Sequence, residues 1–186
     1  MLVDAHAAHT EGFFRVPVDN LTAVPALCAA VREHLPSGTV VVSPDAGRVR
    51  MATEYGRRLG APLAVLHKRR ESGTETEVTH LVGDVRGRPC LVIDDMISTG
   101  GTIVESVRAL CEAGARPEFY VAATHGLMLG EACTRFAAEG VRRVFHTDSV
   151  TPNEACDAPV QVVSIAPLLA AAIRHELSGT PIPEPR

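Results

Sequence analysis

Two adjacent carboxylates followed by a cluster of hydroxyls and glycines stand out in residues 90–103, CLVIDDMISTGGTI. Asp94 and Asp95 end an apolar run, and a buried strand rarely carries paired acids without a partner such as a metal, an arginine or the hydroxyls of a sugar. Ser98, Thr99, Gly100, Gly101 and Thr102 then open a helical pattern, where unpaired backbone N–H groups and the helix dipole favour a phosphate. Glycines let the backbone approach such an anion closely. The two features together suit a phosphorylated sugar, with the carboxylates for its hydroxyls and the turn for its phosphate. A plainer alternative stays open on these residues, with Ser98 or Thr99 as an ordinary helix N-cap and Asp95 as a helix-start charge.

A second chemical signal is compositional. Of 18 basic residues, Lys68 alone is a lysine. A chain that uses Arg almost everywhere keeps Lys where a compact, mobile ammonium is wanted. Lys68 is flanked by Arg69 and Arg70 and followed by Ser72-Gly73-Thr74, which suits a loop that closes on anionic groups. The alternative is a solvated basic turn.

The elements that must position these residues can be read from periodicity. Strands are expected at 39–43 (TVVVS), 62–67 (PLAVLH), 89–94, 117–125, 141–147 and 160–166, and helices at 47–60, about 100–114, 130–140 and 167–177. Residues 77–88 read as a short hairpin or loop arm. Strands alternating with helices of this length predict an α/β fold of three layers, a mostly parallel central sheet flanked by helices. Ligands of such sheets bind beyond the carboxyl ends of the strands. Three polar loops emerge there, 43–47, 67–77 and 94–102, and should converge on one cleft.

The 186 residues suffice for one domain with a substantial core, 1–178, and a polar, Pro-rich tail, 179–186. The formal charge of −4 and a pI near 6.0 give no basic field for nucleic acid, and no apolar run is long enough to span a membrane. Five cysteines without metal-type spacing predict reduced thiols in a soluble, cytoplasmic protein, with Cys28, Cys90, Cys111 and Cys133 as core filler. His9 and His125 read as surface or satisfied histidines.

The paired acids and the turn closely resemble the 5-phosphoribosyl 1-pyrophosphate (PRPP) motif of type I phosphoribosyltransferases and of PRPP synthetases, the ribose-phosphate pyrophosphokinases. The segments 4–25, 40–52, 62–71, 82–102 and 147–150 resemble those of PRPP synthetase, in that family's order. The resemblance implies a type I phosphoribosyltransferase-like domain and transfer of pyrophosphate from Mg²⁺-ATP to ribose 5-phosphate, giving PRPP and AMP. It assigns Asp94, Asp95, Ser98, Thr99, Gly100, Gly101 and Thr102 to ribose 5-phosphate, and Asp45, Ala46 and Gly47 to pyrophosphate. Lys68 and Arg70 match a mobile catalytic loop. His6 matches a residue near the ATP phosphates, and Asp4, His6, Asp19 and Asp45 are implied around Mg²⁺.

The same resemblance implies that the match begins where the second of the family's two similar domains begins, without the N-terminal domain that holds adenine. Arg15 stands where the family commonly has an acid, and His9 where it commonly has Gln. Partners implied are ribose 5-phosphate, PRPP and ATP, with a homo-oligomer or another PRPP synthetase subunit. The alternatives are a partner-dependent regulatory module and a phosphoribosyltransferase consuming PRPP.

Overall fold

Val40, Val41 and Val42 are all fully buried, yet they serve two different cores. Val40 and Val42 pack with Val107, Leu110 and Phe136, whereas Val41 packs with Leu27, Val31 and Tyr55. Successive strand side chains point to opposite faces, so a strand buried at every position must lie in a sheet covered on both sides.

The computed structural model describes residues 1–72, 75–151 and 159–179, and their side chains except at 8 and 68–79. In chain order the elements are β1 (Leu2–Val3), β2 (Asn20–Leu21), α1 (Val24–Arg32), β3 (Val40–Ser43), α2 (Val49–Leu59), β4 (Leu63–Ser72), β5 (Glu75–Val82), β6 (Cys90–Ile97), α3 (Gly101–Glu112), β7 (Phe119–Gly126), α4 (Ala132–Ala138), β8 (Val141–Thr147), β9 (Val160–Val163) and α5 (Ala166–Ser178). The main sheet has seven strands in the order β5-β4-β3-β6-β7-β8-β9, parallel throughout except for β5. Helices α3 and α4 cover one face, α1 and α2 the other. The three-layer α/β architecture expected from periodicity is the one observed.

Helix α3 shows why these sequences fold this way. Ile103, Val107 and Leu110 recur at helical spacing and are all buried, each contributing roughly 1.5–3 kcal/mol of burial. Helix α2 ends at Gly60, whose φ of 65° lets the chain turn where a β-carbon would be strained.

Three features differ from expectation. The described residues of the polar stretch 67–77 stand in two antiparallel strands, β4 and β5, in which Lys68 opposes Val78 and Arg70 opposes Thr76. Strand pairing extends past the apolar run because β5 supplies ladder partners that the sequence pattern does not reveal. Helix α1 and the small parallel pair β1–β2 are not among the expected elements; α1 begins with a proline in its first turn, buries Val24, Leu27, Cys28 and Val31 at helical spacing and packs against β7 and β8. The cysteines also divide: Cys28 and Cys90 are buried thiols whose pKa burial pushes up to about 12, but Cys111 is exposed rather than core filler. Cys133 is disulfide-bonded, which corrects the expectation of a reduced thiol there. Cys156 and the tail 180–186 lie outside the described residues.

Candidate functional site

Strands β3 and β6 are neighbours at the centre of the sheet, but the chain continues from β3 to β4 on one side and from β6 to β7 on the other. The segments leaving their carboxyl ends therefore diverge, and a crevice opens between them. A cavity of about 400 Å³ lies there, walled by residues 94–103 together with His6, Asp45 and Arg48.

Asp94 and Asp95 sit at its base, 8% and 3% exposed. One arginine serves both. Arg48 donates from Nε to Asp94 Oδ1 at 3.1 Å, and its Nη2 lies 3.0 Å from Asp95 Oδ2. His6 Nδ1 is 3.0 Å from the same Asp95 oxygen and 3.0 Å from Arg48 Nη2, so that nitrogen either donates to Asp95 or accepts from Arg48. Asp95 Oδ1 is buried without a hydrogen-bond partner among the described residues. A buried carboxylate oxygen in that state is an acceptor for a donor such as a sugar hydroxyl. Burial pushes the Asp94 carboxyl up to about 6; Asp95 beside it adds to the push and Arg48 pulls against it.

The opposite wall is the start of α3. Gly100 is the N-cap with φ at 76°, and no side chain caps the helix. Neither Ser98 nor Thr99 performs the plain capping role, so the first N–H groups of α3 are left for another acceptor. A β-carbon at Gly100 would stand 2.7 Å from Phe136 Cε1, which fixes glycine there for packing as well as for backbone geometry. Residues 98–102 thus form one side of a cavity whose other side is the carboxylate pair.

The turn after β3 supplies the third wall. Asp45 Oδ1 accepts from the backbone N–H groups of Gly47 and Arg48, at 2.8 and 3.1 Å, and Ser43 Oγ donates to the Asp45 carbonyl at 2.7 Å. Ala46 and Gly47 are exposed. Gly47 faces a second, adjoining cavity of about 760 Å³ that shares His6, Arg48 and Asp95 with the first.

His6 reaches this site because the segment before it is pinned. Asp4 Oδ2 accepts from the Ala23 N–H at 2.8 Å and from Thr124 Oγ1 at 2.7 Å, with Asp4 at φ 41°, and His125 Nε2 lies 3.1 Å from the Val3 carbonyl. Asp4 therefore ties the N-terminal segment to α1 and β7. Asp19 is exposed and faces a separate cavity against α5, with Ala172 and His175, away from the carboxylate pair. Of the four residues expected around a metal, His6 and Asp45 line the main cavity and Asp4 lines the adjoining one beside His6, with its Oδ2 held by Ala23 and Thr124, whereas Asp19 lies apart. Among the described residues no group of three or more His, Cys, Asp or Glu could hold a metal. The side chains of Lys68 and Arg70 lie outside the described ones; their backbones stand in β4, which follows the site's own β3 and pairs with it.

Arg48 is the site residue that sequence reasoning did not single out. It directly follows the 43–47 loop, and a buried acid pair in need of a cation was the available signal.

Residues 18–160 match the phosphoribosyl transferase domain family. The chain belongs to that family. Over nearly all of its length it is similar to ribose-phosphate pyrophosphokinases: 45% identical over 182 residues to that of Bifidobacterium longum, covering 94% of this chain and 53% of the relative, and 45% over 179 residues to that of Streptomyces avermitilis, covering 94% and 55%. The crystal structure of phosphoribosylpyrophosphate synthetase from Mycobacterium smegmatis superposes with a TM-score of 0.82 at 41% identity, covering 96% of this chain and 58% of that one. An APRTase from Giardia lamblia, at 18% identity and a TM-score of 0.54 over 67% of this chain and 76% of that one, shares the fold. The chain spans about half the length of the curated relatives it matches. Among the described residues no helix is long and apolar enough to cross a membrane.

Proposed function

We propose that this domain binds ribose 5-phosphate and PRPP and takes part in ribose-phosphate pyrophosphokinase chemistry, moving pyrophosphate from Mg²⁺-ATP to ribose 5-phosphate. The observation that carries the reading is the meeting of two features in one cavity: a buried carboxylate pair with an unpartnered oxygen, and an uncapped helix N-terminus. The carboxylates accept from the vicinal hydroxyls of the ribose, and residues 98–102 hold its 5-phosphate with backbone N–H groups. That orientation leaves the anomeric hydroxyl toward the turn at Asp45, Ala46 and Gly47.

In the reaction, the anomeric oxygen attacks the β-phosphorus of ATP, the bridge between the α- and β-phosphates breaks, AMP leaves, and the hydroxyl proton is released. Such a transfer needs positioning and charge neutralisation more than covalent help from the protein. Lys68 and Arg70, on the hairpin that follows β3, are the cations proposed to close on the transferring phosphates. Mg²⁺ characteristically takes one or two carboxylates plus substrate phosphates, and Asp45, with Oδ2 free of the turn's own hydrogen bonds, together with His6, would hold it there to neutralise phosphate charge. Asp4 acts in this scheme by holding the segment that carries His6. The reading covers the unit 1–178 and includes association with a second copy or with a longer relative; a strictly monodisperse monomer in sedimentation velocity would count against the latter part.

The test is AMP release from Mg²⁺-ATP with and without ribose 5-phosphate, followed by phosphorus NMR. Formation of AMP and PRPP only when the sugar phosphate is present, and its loss in Lys68→Ala with ribose 5-phosphate binding retained, is the expected result. Turnover that survives Lys68→Ala would remove that residue from the mechanism. Sugar-phosphate binding without turnover would leave a binding module that acts with a partner, and no binding at all would overturn the reading.

A further inference from the structure

The unusual feature of this cavity is that one oxygen of each carboxylate is already held by an arginine of the chain itself. Arg48 spans Asp94 and Asp95, and its guanidinium lies at the junction of the two cavities, lining both. A sugar whose vicinal hydroxyls donate to these carboxylates meets a side chain that holds the same oxygens, Asp94 Oδ1 and Asp95 Oδ2. Asp94 Oδ2, and the buried Asp95 Oδ1, are the oxygens of the pair that accept no hydrogen bond among the described residues. The guanidinium cannot be replaced without cost, because two buried carboxylates side by side need a cation or a proton.

We propose that Arg48 is a displaceable internal counter-ion: it closes the carboxylate pair in the free protein, gives way to the sugar hydroxyls, and turns across the cavity junction to the diphosphate that the ligand carries at its anomeric carbon. The inference rests on the sugar-phosphate reading above and adds a positioning and specificity role for a residue that reading does not use.

Three observations make the exchange workable. The backbone of Arg48 is fixed, since its N–H is held by Asp45 and it directly precedes α2, so only the side chain needs to move. That side chain is 20% exposed and has torsional freedom to reorient. Gly47, next to it, already faces the second cavity, so a group leaving the carboxylates toward the turn arrives beside exposed backbone. A ligand that lacks the diphosphate must break the Arg48 contacts and offers the guanidinium no anion there; a ligand that carries it restores a charge-assisted pair. Arg48 thereby favours a sugar 1-diphosphate over the same sugar without it.

The experiment is calorimetric titration of the full chain, unaltered and as Arg48→Ala and Arg48→Lys, with ribose 5-phosphate and separately with PRPP, with Mg²⁺ held constant. In Arg48→Ala the affinity for PRPP should fall about tenfold or more, while that for ribose 5-phosphate holds or rises, and Arg48→Lys should restore part of the PRPP affinity. A parallel loss for both ligands would mark Arg48 as a structural support and overturn the exchange, as would unchanged PRPP binding. A ¹⁵N spectrum of arginine Nε–H groups gives an independent readout: one protected resonance, absent in Arg48→Lys, should lose its protection on addition of ribose 5-phosphate to the unaltered chain. Its persistence in the sugar-bound state would refute displacement even if affinities changed. If the unaltered chain binds neither ligand, the sugar-phosphate reading fails first and the exchange with it, an outcome distinct from all the others.

Discussion

Replacing Asp94 by Asn should stabilise the protein above pH 6 while removing sugar binding. Asp94 is 8% exposed, and burial holds its pKa near 6 against an ordinary 3.8. At about 1.36 kcal/mol per pH unit, that gap corresponds to roughly 3 kcal/mol that the folded state forgoes to keep Asp94 ionised, with the attraction of Arg48 already included. The sign follows from proton binding. Between pH 6 and 3.8 the folded state takes up the proton before the unfolded chain does, so this group favours the fold increasingly as pH falls. Above pH 6 both states are ionised and the full cost is present; below 3.8 both are protonated and the cost is gone.

Asparagine is neutral throughout and keeps an oxygen for the Asp95 N–H, which now donates to Asp94 Oδ1 at 2.9 Å. The Asp94→Asn variant should therefore gain roughly 1–3 kcal/mol at about pH 8, with the gain shrinking toward zero near pH 4. Urea unfolding at a series of pH values, with m-values compared to exclude a change in the unfolded state, measures it. A variant that is less stable at about pH 8, or whose gain does not vary with pH, would refute the reasoning, because it would mean that the Arg48 pair outweighs the desolvation of Asp94.

The remaining predictions concern the walls of the site. Gly100→Ala puts a β-carbon against Phe136 Cε1 at a φ of 76°, so about 2–5 kcal/mol should be lost in denaturant unfolding; Phe136→Leu in the same chain should make the two costs less than additive. Asp4→Ala strands the N–H of Ala23, which is fully buried, and should cost roughly 2–4 kcal/mol, whereas Asp4→Asn should keep most of that stability. On the proposed reading, Asp4→Asn also leaves the Mg²⁺ concentration for half-maximal turnover unchanged, since Asp4 supports His6 rather than the ion. Asp45→Asn preserves the turn but should raise that Mg²⁺ requirement, and Asp45→Ala should in addition lose about 1 kcal/mol of stability with the bonds to Gly47 and Arg48.

How much of this was legible in the sequence depends on the range over which each feature is determined. The parallel core strands were readable because a strand buried on both faces must be a continuous apolar run, as residues 40–42 and 90–93 are. The turn at 98–102 was readable because hydroxyls and glycines at a helix start act through backbone within a few residues. The hairpin was only half readable: β4 continues through His67 to Ser72 in polar sequence, where its stability comes from the ladder with β5 rather than from its own pattern. Of the expected metal residues in the N-terminal segment, Asp19 stands in a different cavity from Asp4 and His6, because nearness in sequence does not fix where carboxylates point. Across residues 4–19 the chain runs through a turn of 3₁₀ helix and returns, sending Asp19 toward α5 while Asp4 stays beside His6 with its Oδ2 held by Ala23 and Thr124.

Arg48 shows the same limit from the other side. Its neighbours in sequence form the turn that the proposed reading gives to pyrophosphate, but its partners lie 46 and 47 residues on, across the switch between β3 and β6. No local pattern encodes that pairing; the strand order does. The sheet brings the end of β3 beside the end of β6, and the carboxylates that desolvation would otherwise leave unpaired select the nearest cation the crevice offers. Because the same desolvation raises the Asp94 pKa and would make a displaced guanidinium costly, the proposed exchange ties stability and ligand binding to one local balance in this site. A variant that relaxes the balance, as Asp94→Asn does, should gain fold stability in proportion to what it loses in recognition of the sugar.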